Sequence, residues 1–99
     1  MKTFTIKKYD EGGIRKGKEQ KQNVRLVCIT DNNNEKIAIW GTDTSQYKNM
    51  NNIDKVLNAV KTNGFPCKIK CCVKNPADWA VKNFSHKYWV EEEAQLDVV

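Results

Sequence analysis

One histidine, four cysteines and a short carboxylate run are the side chains in this sequence suited to covalent or metal chemistry. His86 directly follows Ser85, and neighbours on an extended strand point to opposite faces, so the two do not form a nucleophile with its base. Cys28, Cys67, Cys71 and Cys72 lack the two spaced pairs of a tetrahedral metal site. On a strand, Cys67 and Cys71 face the same way with Ile69 between them, which is the pattern of small core residues. Gly12-Gly13 and Gly17 lack the spacing of a phosphate-binding loop. Glu91-Glu92-Glu93 reads as solvated carboxylate. The sequence predicts no catalytic constellation, no metal and no cofactor, hence a non-enzymatic protein.

A second set of residues is patterned for binding. Single-stranded nucleic acid is held by cations spread along its backbone and by aromatic faces on which its bases stack. Lys68, Lys70 and Lys74 alternate with Cys67, Ile69, Cys71 and Val73, which places them on the outward side of a strand. If Ile37 and Ile39 face inward, Ala38 and Trp40 face outward. Trp79, Lys82 and Phe84 cluster before the last strand, on which Lys87 and Trp89 share one side. Arg15, Lys16 and Lys18 form a further basic patch. All seventeen basic residues precede Glu91, leaving the body nine charges positive and the last nine residues four negative. A basic body attracts phosphate over long range. Each feature also has a packing alternative: a solvated lysine-rich surface, Trp40 at a barrel rim, Trp79 and Phe84 plugging a barrel end, and Trp89 on either face.

The elements that must position these residues follow from turn signals and periodicity. The chain has 99 residues and a mean hydropathy of -0.72, enough for one domain with one modest core. A first strand spans 3–9, with Phe4, Ile6 and Lys8 alternating against Thr5, Lys7 and Tyr9. Residues 10–22 are glycine-rich and basic and read as a mobile loop. Strands at 24–30 and 36–40 flank the turn cluster Asp31-Asn32-Asn33-Asn34. Ile53, Val56, Leu57 and Val60 recur at helical spacing, with Asn52 as N-cap and Gly64 as the stop. Phe65-Pro66 opens a strand over 67–74, Asn75-Pro76 closes it, and a last strand runs from His86 to Glu92. Phe4, Ile6, Phe65 and Tyr88 are expected in the core. The fold class is mostly β: a five-stranded OB-type barrel with one short helix between strands 3 and 4. One domain spans 1–92, followed by a short acidic tail at 93–99. No apolar run approaches the roughly 20 residues of a membrane span, and no apolar stretch follows Lys2, so a cytoplasmic location is expected.

The segment Val24-Arg25-Leu26-Val27-Cys28-Ile29-Thr30-Asp31, a turn, and then Lys36-Ile37-Ala38-Ile39-Trp40-Gly41 resembles the central hairpin of OB-fold nucleic-acid-binding domains, including those of replication protein A and related single-stranded-DNA-binding proteins. Gly64-Phe65-Pro66-Cys67-Lys68-Ile69 resembles the start of their fourth strand. The likeness covers about residues 22–92; a glycine common early in their first strand is missing. It implies a ligand groove flanked by the loops after the first and fourth strands. Twelve residues are expected to line it: Arg15, Lys16, Lys18, Lys68, Lys70, Lys74, Lys82 and Lys87 on phosphates, and Trp40, Trp79, Phe84 and Trp89 on bases. The expected ligand is single-stranded nucleic acid, DNA rather than RNA, with little sequence preference. The alternative is a small protein-interaction module, phage- or plasmid-borne, that docks on a host nucleic-acid-processing protein and meets its partner through the acidic C-terminus.

Overall fold

Strand β1 (Lys2–Lys16), β2 (Asn23–Asp31) and β3 (Lys36–Thr42) form an antiparallel meander. Helix α1 (Asn49–Asn63) follows, then β4 (Cys67–Cys71), β5 (Val73–Lys74), α2 (Asp78–Phe84), β6 (His86–Val90) and β7 (Asp97–Val98). The computed structural model describes residues 1–16, 23–42, 49–91 and 95–99, of which 12–16, 23, 24 and 42 are described by backbone alone.

The seven strands make one curled, half-barrel sheet in the order β5-β6-β3-β2-β1-β4-β7. β4 pairs with β1, and β5, one residue later, pairs with β6. Cys72 is the single residue between them, so one bent segment meets both sides of the meander. β3 and β6 run parallel, as a connection through helices permits.

Turn chemistry explains the β2–β3 hairpin. Asp31 Oδ1 accepts from the backbone N–H of Asn33 and of Glu35, each at 2.9 Å, and Asn34 takes the left-handed φ of 63°. Gly41 is needed for a close approach: a Cβ there would lie 3.1 Å from the backbone nitrogen of Met50 at the start of α1. Gly64 ends α1 at φ 72°, its N–H donating to Val60 O at 2.9 Å.

The core lies between α1 and the concave face of the sheet. Phe4, Ile6, Val27, Ile29, Ile37, Ile39, Ile53, Val56, Ile69, Cys71 and Val90 form it, with Tyr88 packed against its edge. Two buried amides lock α1 in place. Asn49 Nδ2 donates to Trp40 O at 2.9 Å and to Val90 O at 3.3 Å, bridging β3 and β6 beyond their ladder. Asn52 Nδ2 donates to Asn49 Oδ1 at 3.1 Å.

Five sequence expectations are corrected here. The sheet has seven strands rather than five, because the 67–74 strand breaks at Cys72 and a short β7 is added. The helix between β3 and β4 has fifteen residues and begins at Asn49, so Asn52 is a buried interior residue and not its cap; α2 is a second helix. β1 continues through residues 10–16, paired with β2, where a loop was expected; residues 17–22 lie outside the described residues. Phe65 is half exposed, because it sits in the bend before β4 and not on a strand. Residues 95–99 fold back: Leu96 is fully buried in the core, its N–H donates to Asn52 Oδ1 at 3.2 Å, and Asp97–Val98 pair with β4.

Candidate nucleic-acid interface

β-bulges decide which side chains reach the convex face. Before the bulge, Phe4 and Ile6 of β1 point into the core. The register shifts between Ile6 and Lys8, and from there Tyr9 pairs with Ile29 on the core side while Lys8 and Asp10 oppose Thr30 and Cys28 on the other. The extra residue at the bulge reverses the parity of simple alternation, which had put Lys8 inward and Tyr9 outward. A similar shift at the start of β6 lets His86 pair with Lys36 and Trp89 with Ala38, both on the convex face, while Tyr88 turns to the core.

α2 lies on this convex face. Its buried Ala80 lets the helix approach closely, and its C-terminus ends at Ser85, whose φ of 58° turns the chain straight into β6. The result is a contiguous aromatic cluster. Trp79 meets Trp89 edge-on at 5.7 Å and Phe84 edge-on at 6.0 Å. Phe84 stacks on His86 at 5.5 Å with 23° between the planes. Trp89 Nε1–H donates to His86 Nδ1 at 3.1 Å, which leaves the proton of a neutral ring on Nε2. Trp79 is 48% exposed and Phe84 47%, whereas Trp89 is half-buried and His86 buried.

A groove of about 300 Å³ opens beside this cluster. β1 supplies Lys8 and Asp10 to its wall, β2 supplies Cys28 and Thr30, and β3 supplies Lys36. Asn83, Phe84, Ser85 and His86 close the other side. Burial together with the Lys36 charge holds the His86 pKa below the ordinary histidine value. Burial likewise raises the Cys28 thiol, and in the core it pushes Cys71 up to about 11, so neither is an activated nucleophile.

The structure brings some of the sequence-derived site residues together and separates others. Trp79, Phe84 and Trp89 meet. Lys74 pairs with Trp89 across β5–β6. Lys82 stands one helical turn after Trp79 on α2. Lys87 is beside them but faces Glu35 at 3.8 Å. Trp40 is half-buried on the convex face opposite Leu26, further along β3 than Ala38. Lys68 and Lys70 are exposed on β4, across the sheet from the aromatic cluster and beyond β1. Arg15 and Lys16 end β1, paired with Val24 and Asn23. Lys18 lies outside the described residues. Of the groove residues only Phe84 is among the sequence-derived site residues; those missed include Lys8 and Asp10, which the bulge turned outward, Lys36, at the first position of its strand, and His86, which packs between Phe84 and Trp89.

Among the described residues no group of three or more His, Cys, Asp or Glu side chains could hold a metal ion. No described helix is long and apolar enough to cross a membrane. Neither the family models, the curated proteins nor the solved structures contain a match to this chain.

Proposed function

We propose that this protein is an OB-type domain that binds single-stranded nucleic acid, DNA in preference to RNA, on its convex face. The observation that carries the reading is the half-exposed Trp79–Phe84 pair, seated on Trp89 and His86, beside a groove walled by Lys8 and Lys36. Stacking on such rings suits any base, and distributed ammonium groups follow the backbone. The strand path supports the OB description. Taken together, β1, β2, β3, the bent β4–β5 segment and β6 correspond to its five strands, with α1 between the third and fourth. The groove then lies on the face of the central hairpin, beside the β5–β6 connection, and β7 is an addition to the pattern.

Titration of the intrinsic tryptophan fluorescence with single-stranded and duplex oligonucleotides tests this. Single strands should quench, duplex should not, and affinity should fall steeply with salt. Phe84→Ala should weaken binding about 5- to 150-fold, the scale of one lost stacking contact. Absence of both quenching and a mobility shift with every oligonucleotide would remove the reading. The exposed apolar side chains Trp79, Val81 and Phe84 favour one second reading, a docking surface for a protein. Retention of a protein partner without any oligonucleotide binding would select it.

A further inference from the structure

Resting on that function, we infer that the groove beside Phe84 reads one base and prefers guanine. Lys8 and Asp10 stand two residues apart on the same face of β1, with Lys8 Nζ 3.5 Å from Asp10 Oδ2, and both side chains line the groove. They are 66% and 58% exposed, so their mutual ion pair is weak and both groups remain accessible to a ligand. Together they present a donor next to a two-oxygen acceptor.

The Watson–Crick edge of guanine carries one acceptor, O6, beside two donors, N1–H and the N2 amino group. A carboxylate accepts both donors in a bidentate pair, and the neighbouring ammonium donates to O6. Adenine and cytosine each offer one donor group there, and thymine or uracil one imide N–H, so none engages both carboxylate oxygens along this edge. Phe84, stacked on His86 and half exposed, supplies the platform that holds the base plane at the groove. The stacking cluster is tolerant of sequence; the selectivity belongs to this one subsite.

The test uses four short oligothymidylates with a central dG, dA, dC or dT, at fixed salt, with the full chain. The dG oligomer should bind at least about fivefold more tightly than the others, the low end of what a bidentate base contact discriminates. Inosine, which lacks the N2 amino group, should lose most of that advantage. 7-Deazaguanine, altered only on the opposite edge, should keep it. Asp10→Asn should abolish the preference, read as the ratio of dG to dT oligomer affinity within the same variant, because an amide offers one acceptor where the carboxylate offers two. Equal affinity for all four oligomers overturns the inference and leaves nucleic-acid binding intact. A guanine preference that survives in Asp10→Asn overturns the role of Asp10. Absence of binding by every oligomer removes the functional reading itself.

Discussion

Removing Lys36 and Lys82 together separates phosphate contact from general surface charge. Lys36 lies on the groove wall opposite His86 in the β3–β6 pairing, and Lys82 stands one helical turn beyond Trp79, so the two ammonium groups flank the aromatic cluster from the sheet and from α2. Lys87 is a poorer choice, since Glu35 already offsets its charge. Each cation that meets a phosphate of a single strand contributes about 0.7 to the slope of log affinity against log salt. Two lost contacts therefore lower that slope by about 1.4, which is a weakening of about 25-fold at 0.1 M salt but only about fivefold at 0.3 M. The assay is a fluorescence-quenching titration with oligothymidylate across a salt series. Lys61→Ala is the control: its residue is exposed in the last turn of α1, the helix packed on the concave side. An unchanged slope in the double variant, or an equal change in the control, would show that phosphates do not run beside the aromatic cluster.

Three further outcomes follow from the same geometry. Bound oligonucleotide should protect the half-buried Cys28 thiol on the groove wall from a maleimide while leaving Cys72, at the β4–β5 break, as reactive as before; equal protection of both thiols would place the ligand elsewhere. Leu96→Ala should cost about 2–5 kcal/mol in urea unfolding, because the side chain is fully buried; a loss below about 0.5 kcal/mol, the scale of a surface change, would mean that residues 95–99 do not pack in the core. The pKa of His86 is lowered in the fold, so the unfolded chain binds the extra proton first as pH falls. The contribution of His86 to stability is then complete above pH ~6.5 and declines below it. Melting temperatures at pH 7.5 and pH 5.5 should differ less in His86→Phe than in the parent, and an equal difference in both would contradict the neutral ring bonded to Trp89.

How far the sequence discloses this structure depends on which residues carry local signals. The hairpin was legible because Asp31 and Asn34 mark its turn chemically and isoleucines mark its inner face. The end of α1 was legible because glycine favours the left-handed backbone that ends the helix at position 64. Cys67, Ile69 and Cys71 showed their face by plain alternation. The bulge after Ile6 has no comparable marker: Lys7-Lys8 reads the same in either register, and every side chain that follows depends on it. Leu96 is hidden differently, in an acidic stretch where only its packing partners, Asn52 and the core, reveal that it is buried. The candidate site is part legible for the same reasons. Its aromatic members stand close together in sequence on α2 and β6, whereas Lys8, Asp10 and Lys36 come from strands whose outward positions the bulges and ladders assign.

The bulge in β1 also divides a single strand between two tasks. Before it Phe4 and Ile6 are committed to the interior, and Lys8 and Asp10 after it share the groove with Thr30 and Lys36 without contributing to the core cluster. Recognition and folding thus draw on different letters of the same segment. A combinatorial library varying positions 8, 10, 30 and 36 explores new ligand preferences on an unaltered scaffold, and because Lys7 is the extra residue, deleting it leaves plain alternation with Ile6 and Tyr9 inward and Lys8 and Asp10 still facing the groove.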